Sequence, residues 1–316
     1  MIIWISVFLS AAVVSLLTTF PIVWLLNFFK LGQPIREEGP VSHQKKFGTP
    51  TMGGLGPVLS IFILTLILIN VDFHPQYLAL LLLMLAFAII GLTDDLLKVI
   101  LHRNLGLTFW QKIILQVMAA AGFGIFMVFL GHNLTVGGLL KSLGFADPYL
   151  YQILIIFMIV GSANATNLTD GLDGLLAGTI GISFLSFAFL SVKLGAHDSL
   201  TFSLICSGAI LAFLFYNFPK AKVFMGDIGS LAVGATLAAV SIINHAELRL
   251  LVIGGVFVVE ALSVIIQVSS YKLFKRRILK MSPLHHHFEL LGWPEFNIVI
   301  LFWVVAGLLG TIGVLL

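Results

Sequence analysis

An all-α, polytopic membrane protein with about ten transmembrane helices and both termini on the external side is predicted by three observations. Of 316 residues, 59% are hydrophobic and only 10% charged, and the mean hydropathy of +1.10 lies far above that of water-soluble globular chains. The charges interrupt the chain so as to leave apolar stretches of roughly 20 residues, the length that crosses a bilayer core. The 17 Lys and Arg are also unevenly shared between alternate connections, which is how membrane helices are oriented. This composition excludes a cytosolic protein. The single cysteine, Cys206, allows no internal disulfide, and no CxxC spacing offers a zinc site. A net charge of +3 spread over the whole chain gives no ground for nucleic-acid binding.

Ten spans follow in order. Ile3–Phe28 has no basic residue ahead of it and no small-residue cleavage site behind a short apolar core, so it is expected to remain as a helix rather than be removed as a signal peptide. Met52–Val71 runs from the Pro50 region to Asp72, and Tyr77–Thr93 from Pro75 to the pair Asp94-Asp95. Phe109–Leu130 ends at Gly131, Tyr149–Ala165 follows Asp147-Pro148, and Leu175–Leu194 lies between Gly174 and Gly195. Leu200–Asn217 stops before Pro219-Lys220, and Ile228–Asn244 begins after Asp227. Leu250–Tyr271 is bounded by Arg249 and Lys272, and Phe296–Leu316 follows Pro294-Glu295.

With the connection after the first span placed in the cytoplasm, only Lys141, Lys193 and Arg249 of the 17 basic residues fall outside, a 14:3 bias in the direction of the positive-inside rule. Four of the five cytoplasmic connections, 29–51, 94–108, 218–227 and 272–295, are long or rich in polar residues, whereas most external turns are short. The chemistry is therefore expected at the cytoplasmic face. Without an internal repeat or a low-complexity linker, residues 1–316 read as one membrane domain with its site built from five cytoplasmic loops.

Each loop carries one polar cluster. Asp94-Asp95 could be a solvated helix end, but adjacent carboxylates at a membrane boundary are costly unless a cation or donors offset them. In the segment from Asn164 to Gly174, Asn167, Asp170 and Asp173 recur every three residues and would share a helical face, while Gly171 and Gly174 permit close backbone approach. Phe224-Met-Gly-Asp227-Ile-Gly-Ser230 sets glycines around an acid where a span begins, which reads either as an ordinary helix cap or as a metal–phosphate cradle. His285-His286-His287 cannot all ligate one metal from a regular helix, because successive side chains diverge by about 100°, but beside basic residues they suit a pyrophosphate. His43 to Gly54 breaks the helix at the boundary and places Lys46 to meet an anion, without P-loop spacing. Glu260, in the middle of a span, is either functional or a hydrogen-bonded bundle residue. Acids with a divalent cation and surrounding basic groups describe phosphoryl transfer, and Asp/Asn oxygens suit Mg²⁺, with Mn²⁺ close behind.

HQKKFGTPTMGG, GLTDDLLK, NATNLTDGLDG, FMGDIGS and SPLHHHFELLGW resemble, in order, the signature segments of the polyprenyl-phosphate N-acetylhexosamine-1-phosphate transferase family. The last resembles its phospho-N-acetylmuramoyl-pentapeptide transferase branch. The resemblance implies transfer from UDP-N-acetylmuramoyl-pentapeptide to undecaprenyl phosphate, giving lipid I and UMP for peptidoglycan synthesis, by a homodimer in the bacterial cytoplasmic membrane. It implies catalytic roles for Asp94, Asp95, Asp227, Lys46 and His285, with Asp227 the principal Mg²⁺ ligand beside Asn167. Substrate contacts are implied for Thr51, Asn167, Asp170, Gly171, Leu172, Asp173, Asn217, Phe224, His286 and His287, with Phe224 stacking on uracil. Two other readings remain open: a UDP-N-acetylglucosamine-dependent transferase of the same family, and a cation-coupled transporter, which would place its acids near the bilayer midplane.

Overall fold

The computed structural model describes residues 2–29, 32, 48–101, 105–131 and 147–316. Among them are twelve helices and no strand, with a single bridge between Gly32 and Pro50. In chain order they are α1 Ile2–Phe28, α2 Leu55–Val71, α3 Pro75–Ile100, α4 Phe109–Phe129, α5 Pro148–Thr169, α6 Leu175–Leu194, α7 His197–Asn217, α8 Gly226–Ile243, α9 Glu247–Ile253, α10 Gly255–Phe274, α11 Leu284–Leu290 and α12 Glu295–Leu315. Nine of these are long and apolar enough to cross a membrane, and α2 is a shorter apolar helix of 17 residues. The expected all-helical, polytopic class is borne out.

Local chemistry sets the helix ends. Pro75 and Pro148 open α3 and α5 at the position where a missing N–H costs nothing, and Asp147 accepts from the amides of Tyr149 and Leu150. Thr108 and Gln111 cap α4 reciprocally. Two expectations are corrected. Asp94 and Asp95 do not close a span: α3 continues through them to Ile100, because Lys98, one turn further on, offsets both charges. The ninth span is not continuous but breaks at Gly254 into α9 and α10, where two consecutive glycines weaken the helix.

Helix α8 is the axis of the bundle, with all 18 of its residues buried. Its sequence, GDIGSLAVGATLAAVSII, is dominated by small side chains, which allow neighbouring backbones to approach closely and so replace the hydrophobic driving force that lipid removes. Helices α3 and α5 pack against it. Helix α1, by contrast, buries only Ala11, Ser15, Thr19 and Leu26 and turns large apolar side chains outward, as a lipid-facing helix does.

Among the glycines of the described residues, the closest approach to another backbone bears on the site. A Cβ at Gly91 of α3 would stand 2.2 Å from the carbonyl oxygen of Asp227, so the position admits only glycine without a backbone shift. Gly91→Ala is expected to cost about 1–3 kcal/mol by overpacking and to displace Asp227. Gly122→Ala, whose Cβ would meet nothing within 4 Å, should be neutral or stabilising by up to about 1 kcal/mol from helix propensity. Thermal unfolding in detergent tests the pair, and equal midpoints would contradict the contact.

Candidate active site

The segment entering α2 and the segment entering α8 lie side by side and fix each other. Phe224 N–H donates to Pro50 O at 2.9 Å, Gly53 N–H to Phe224 O at 2.8 Å and Gly54 N–H to Met225 O at 2.9 Å. Gly226 then turns with φ +74°, and a Cβ there would come within 2.6 Å of Asp95 Oδ2 and 2.8 Å of Thr51 Oγ1. This glycine is required both for its backbone conformation and for the approach of its neighbours. Asp227 follows in the first turn of α8, where the helix dipole favours a negative charge.

Asp227 meets Asp94 and Asp95 from α3, and one carboxylate oxygen from each lies within 4.8 Å of the others. Asp94 is 3% and Asp95 0% exposed. Two lysines hold the group together. Lys98 Nζ stands 2.6 Å from Asp94 Oδ2, 3.7 Å from Asp95 Oδ1 and 3.1 Å from Asp227 Oδ2. Lys112 Nζ, from α4, contacts Asp227 Oδ2 and lies 3.8 Å from Asp94 Oδ2. Backbone amides complete the shell: Leu107 N–H donates to Asp94 Oδ1 at 2.8 Å and Ile228 N–H to Asp95 Oδ2 at 3.2 Å. Asn167 Nδ2 donates to Asp227 Oδ1 at 2.8 Å and to Ser230 Oγ at 2.9 Å. In this arrangement Asn167 orients Asp227, and its amide oxygen would reach a shared cation only after the amide turns over. Three anionic oxygens against two ammonium groups leave one negative charge, and hard oxygen donors of this kind can hold a divalent cation.

The loop after α5 adjoins this cluster. Asp170 Oδ2 accepts from Gly226 N–H at 3.2 Å. Asp173 Oδ2 accepts from Ala221 N–H at 2.8 Å, and its own amide donates to Glu295 Oε1 at 2.7 Å. Asn217 bridges two loops, with Oδ1 accepting from Gly174 N–H and Nδ2 donating to Val223 O, each at 2.9 Å. The Asn217 amide thus ties the loop after α5 to the segment entering α8. Leu172 packs with Leu175, Val256 and Phe302. Phe224 is half-buried and Thr51 buried, with a hydroxyl that lacks a hydrogen-bond partner among the described residues.

A family model described as glycosyl transferase family 4 matches residues 77–245, which span the three aspartates and both loops around them. The chain is 50% identical to the phospho-N-acetylmuramoyl-pentapeptide-transferase of Shouchella clausii (strain KSM-K16) over 291 residues, 92% of this chain and 90% of that protein. It is 45% identical to the phospho-N-acetylmuramoyl-pentapeptide-transferase of Bacillus subtilis (strain 168) over 310 residues, 97% and 95% of the two chains. The chain belongs to this transferase family. The family resemblance carried by the five sequence segments is borne out.

His285 is fully buried and His286 and His287 half-buried. His285 touches the loop after α5: a Cβ at Gly171 would lie 2.2 Å from its Nε2. His286 Nδ1 pairs with Glu289 Oε2 at 2.6 Å, and His287 Nδ1 accepts from Lys280 N–H at 3.1 Å. Lys46 lies outside the described residues. The sequence motifs give no role to Lys98, Lys112 and Glu295. The first was legible, since it stands three and four residues after the aspartates on one helix. Lys112 and Glu295 reach the site through tertiary packing, and no spacing announces them.

Burial, and then the charge of Asp227, raises the carboxyl of Asp170 to about 7. A raised pKa means the folded state binds the proton more tightly than the unfolded chain, so the associated stability is full below about pH 4 and is lost by about pH 7. Asp170→Asn, which cannot ionise, should therefore gain on the wild type between pH 4 and 7 and hold a constant difference above it. Thermal midpoints across that range check this, and parallel curves would contradict it.

Proposed function

We propose that this chain transfers phospho-N-acetylmuramoyl-pentapeptide from UDP-N-acetylmuramoyl-pentapeptide to undecaprenyl phosphate, releasing UMP and forming lipid I for peptidoglycan synthesis. The observation that carries the reading is the convergence of Asp94, Asp95 and Asp227 on one point in a chain whose relatives at 45–50% identity bear the name of that transferase. A UDP-N-acetylglucosamine substrate gains no comparable support.

Both substrates are anions, so charge neutralisation is the main obstacle to the reaction. Asp94, Asp95 and Asp227 would hold a divalent cation, Mg²⁺ by the hardness of their oxygens, with Mn²⁺ able to replace it. When bound, the cation supplies Lewis-acid stabilisation of phosphate charge. Lys98 and Lys112, which bridge the carboxylates, supply further positive charge to phosphoryl oxygens. An oxygen of undecaprenyl phosphate attacks the β-phosphorus. The bond from that phosphorus to the bridging oxygen breaks, and UMP departs with the oxygen and its electron pair. A lipid phosphate has its second pKa near 6, so at pH 7 it is already largely a dianion and needs no general base. This favours direct attack over a phospho-aspartate. Phe224 offers a half-buried ring for uracil. Thr51, Asp170, Gly171, Asp173, His286 and His287 surround the nucleotide-sugar, and Lys46 is assigned to the same pocket by the family pattern.

The cytoplasmic orientation of the site rests on charge. Lys98, Lys112, Lys220, Lys222, Lys272, Lys275, Arg276, Arg277 and Lys280 lie toward the aspartate end of the bundle, against Lys193 and Arg249 at the other among the described residues. Both termini then face outward from the bacterial cytoplasmic membrane, and the family pattern suggests a homodimer.

Purified enzyme given each radiolabelled UDP-sugar with undecaprenyl phosphate and Mg²⁺ should make labelled lipid only from the N-acetylmuramoyl-pentapeptide donor. Asp227→Asn should abolish the product, and Asp94→Asn should retain more of it. Labelled lipid from UDP-N-acetylglucosamine alone would contradict the substrate. Exchange of labelled UMP into the donor without any lipid acceptor, lost in Asp94→Asn or Asp95→Asn, would contradict direct attack.

A further inference from the structure

We infer that Glu260 is the positioning residue for His285, holding the imidazole so that Nδ1 carries a proton toward the carboxylate and Nε2 is the ring nitrogen presented to bound substrate. Glu260 lies in α10, in the middle of an apolar run, and is 0% exposed, as is His285. A carboxylate buried in that way persists only where donors satisfy it. The amide of Leu284 donates to Oε2 at 2.8 Å and the amide of His285 to Oε1 at 3.2 Å. Oε2 is also 3.2 Å from His285 Nδ1. One side chain thereby anchors the backbone of the histidine segment and faces one particular ring.

The tautomer follows from electrostatics. A lone pair on Nδ1 would lie 3.2 Å from a carboxylate oxygen and be repelled by it, whereas a proton there is attracted to it even though the approach is off the line of a regular hydrogen bond. Neither ring nitrogen meets a regular hydrogen-bond partner although both are buried; Nδ1 faces the Glu260 carboxylate, whereas Nε2 stands against Gly171, where no side chain intervenes. A buried, unsatisfied acceptor nitrogen is costly, and a substrate hydroxyl or proton arriving in the site would offset that cost. The adjacent residues differ. His287 Nδ1 accepts the Lys280 amide proton, which fixes the opposite tautomer, and His286 pairs with Glu289. The three consecutive histidines thus have different partners, and His285 faces an acid from another helix.

The role in catalysis rests on the proposed transfer reaction, but the tautomer does not, so the test separates the two. Enzyme in detergent is labelled with ¹⁵N-histidine, and the His285 signals are assigned by their loss in His285→Ala. The wild type should show a protonated Nδ1, and Glu260→Gln, whose amide can donate to the ring, should move the proton to Nε2. Transfer assays should then show kcat reduced about tenfold to a hundredfold in Glu260→Gln, as for other residues that orient functional histidines, with KM for the nucleotide-sugar changed less than twofold. In the His285→Ala background the same substitution should change kcat less than twofold. A wild-type spectrum with bare Nδ1 and protonated Nε2 would overturn the inference even if Glu260→Gln failed to fold. Equal losses of kcat in both backgrounds would overturn it too, because a merely structural Glu260 is felt whether or not His285 is present. Absence of any transfer by the wild type would instead remove the proposed reaction and leave the spectrum to decide the positioning.

Discussion

Three carboxylates, Asp94, Asp95 and Asp227, converge within 4.8 Å at one end of a bundle made almost wholly of apolar helices, and the surrounding structure is organised by the need to make that tolerable. Two like charges 4 Å apart repel by about 4 kcal/mol at an effective dielectric of 20, and burial adds a desolvation cost for each. Lys98 and Lys112 offset much of this, while the amides of Leu107 and Ile228 and the side chain of Asn167 saturate the remaining oxygens. The residual negative charge is what would draw a divalent cation to the cluster. Within the protein the lysines stabilise the site, and toward the phosphates of a nucleotide-sugar they are ready donors.

Holding the aspartates at this spacing requires backbones closer than side chains normally permit. Gly91 lets α3 lie against the carbonyl of Asp227, and Gly226 lets the start of α8 pass between Asp95 and Thr51. Around this centre the polar side chains divide into two kinds. Asn217 and Asp173 bridge neighbouring loops and so give the rim its shape. Thr51 Oγ1 and both ring nitrogens of His285 are buried with no hydrogen-bond partner among the described residues, and a ligand bound at the rim would satisfy the hydroxyl and Nε2. The aromatic contacts of Phe218 with Phe296 and Trp303, and the Trp303 indole donating to Gly174 O at 3.1 Å, tie the last helix to the same rim.

Much of this was legible in the sequence because the bilayer restricts the chain so severely. Apolar runs of spanning length have no alternative to helix, and acids or histidines placed at their ends demand an explanation. The aspartates and the loop after α5 were therefore found as motifs. What escaped was set by packing. Asp94 and Asp95 read as a span terminus because charge was taken to end the helix, whereas Lys98 on the same face lets α3 continue. The break at Gly254 lies inside an apolar run whose hydropathy is uninterrupted. Glu260 was visible as an anomaly, but its partner is 25 residues away along the chain and approaches only because the segment after α10 folds back beside it.

If Asp94, Asp95 and Asp227 form a single cation site, Asp227 is indispensable to it. Titration of purified enzyme with Mn²⁺, followed by loss of the free-ion electron paramagnetic resonance signal, measures this without reference to turnover. One ion per chain is predicted for the wild type, displaceable by Mg²⁺, with binding lost in an Asp227→Asn variant whose thermal unfolding shows it still folded. Undiminished stoichiometric binding by folded Asp227→Asn would contradict the claim.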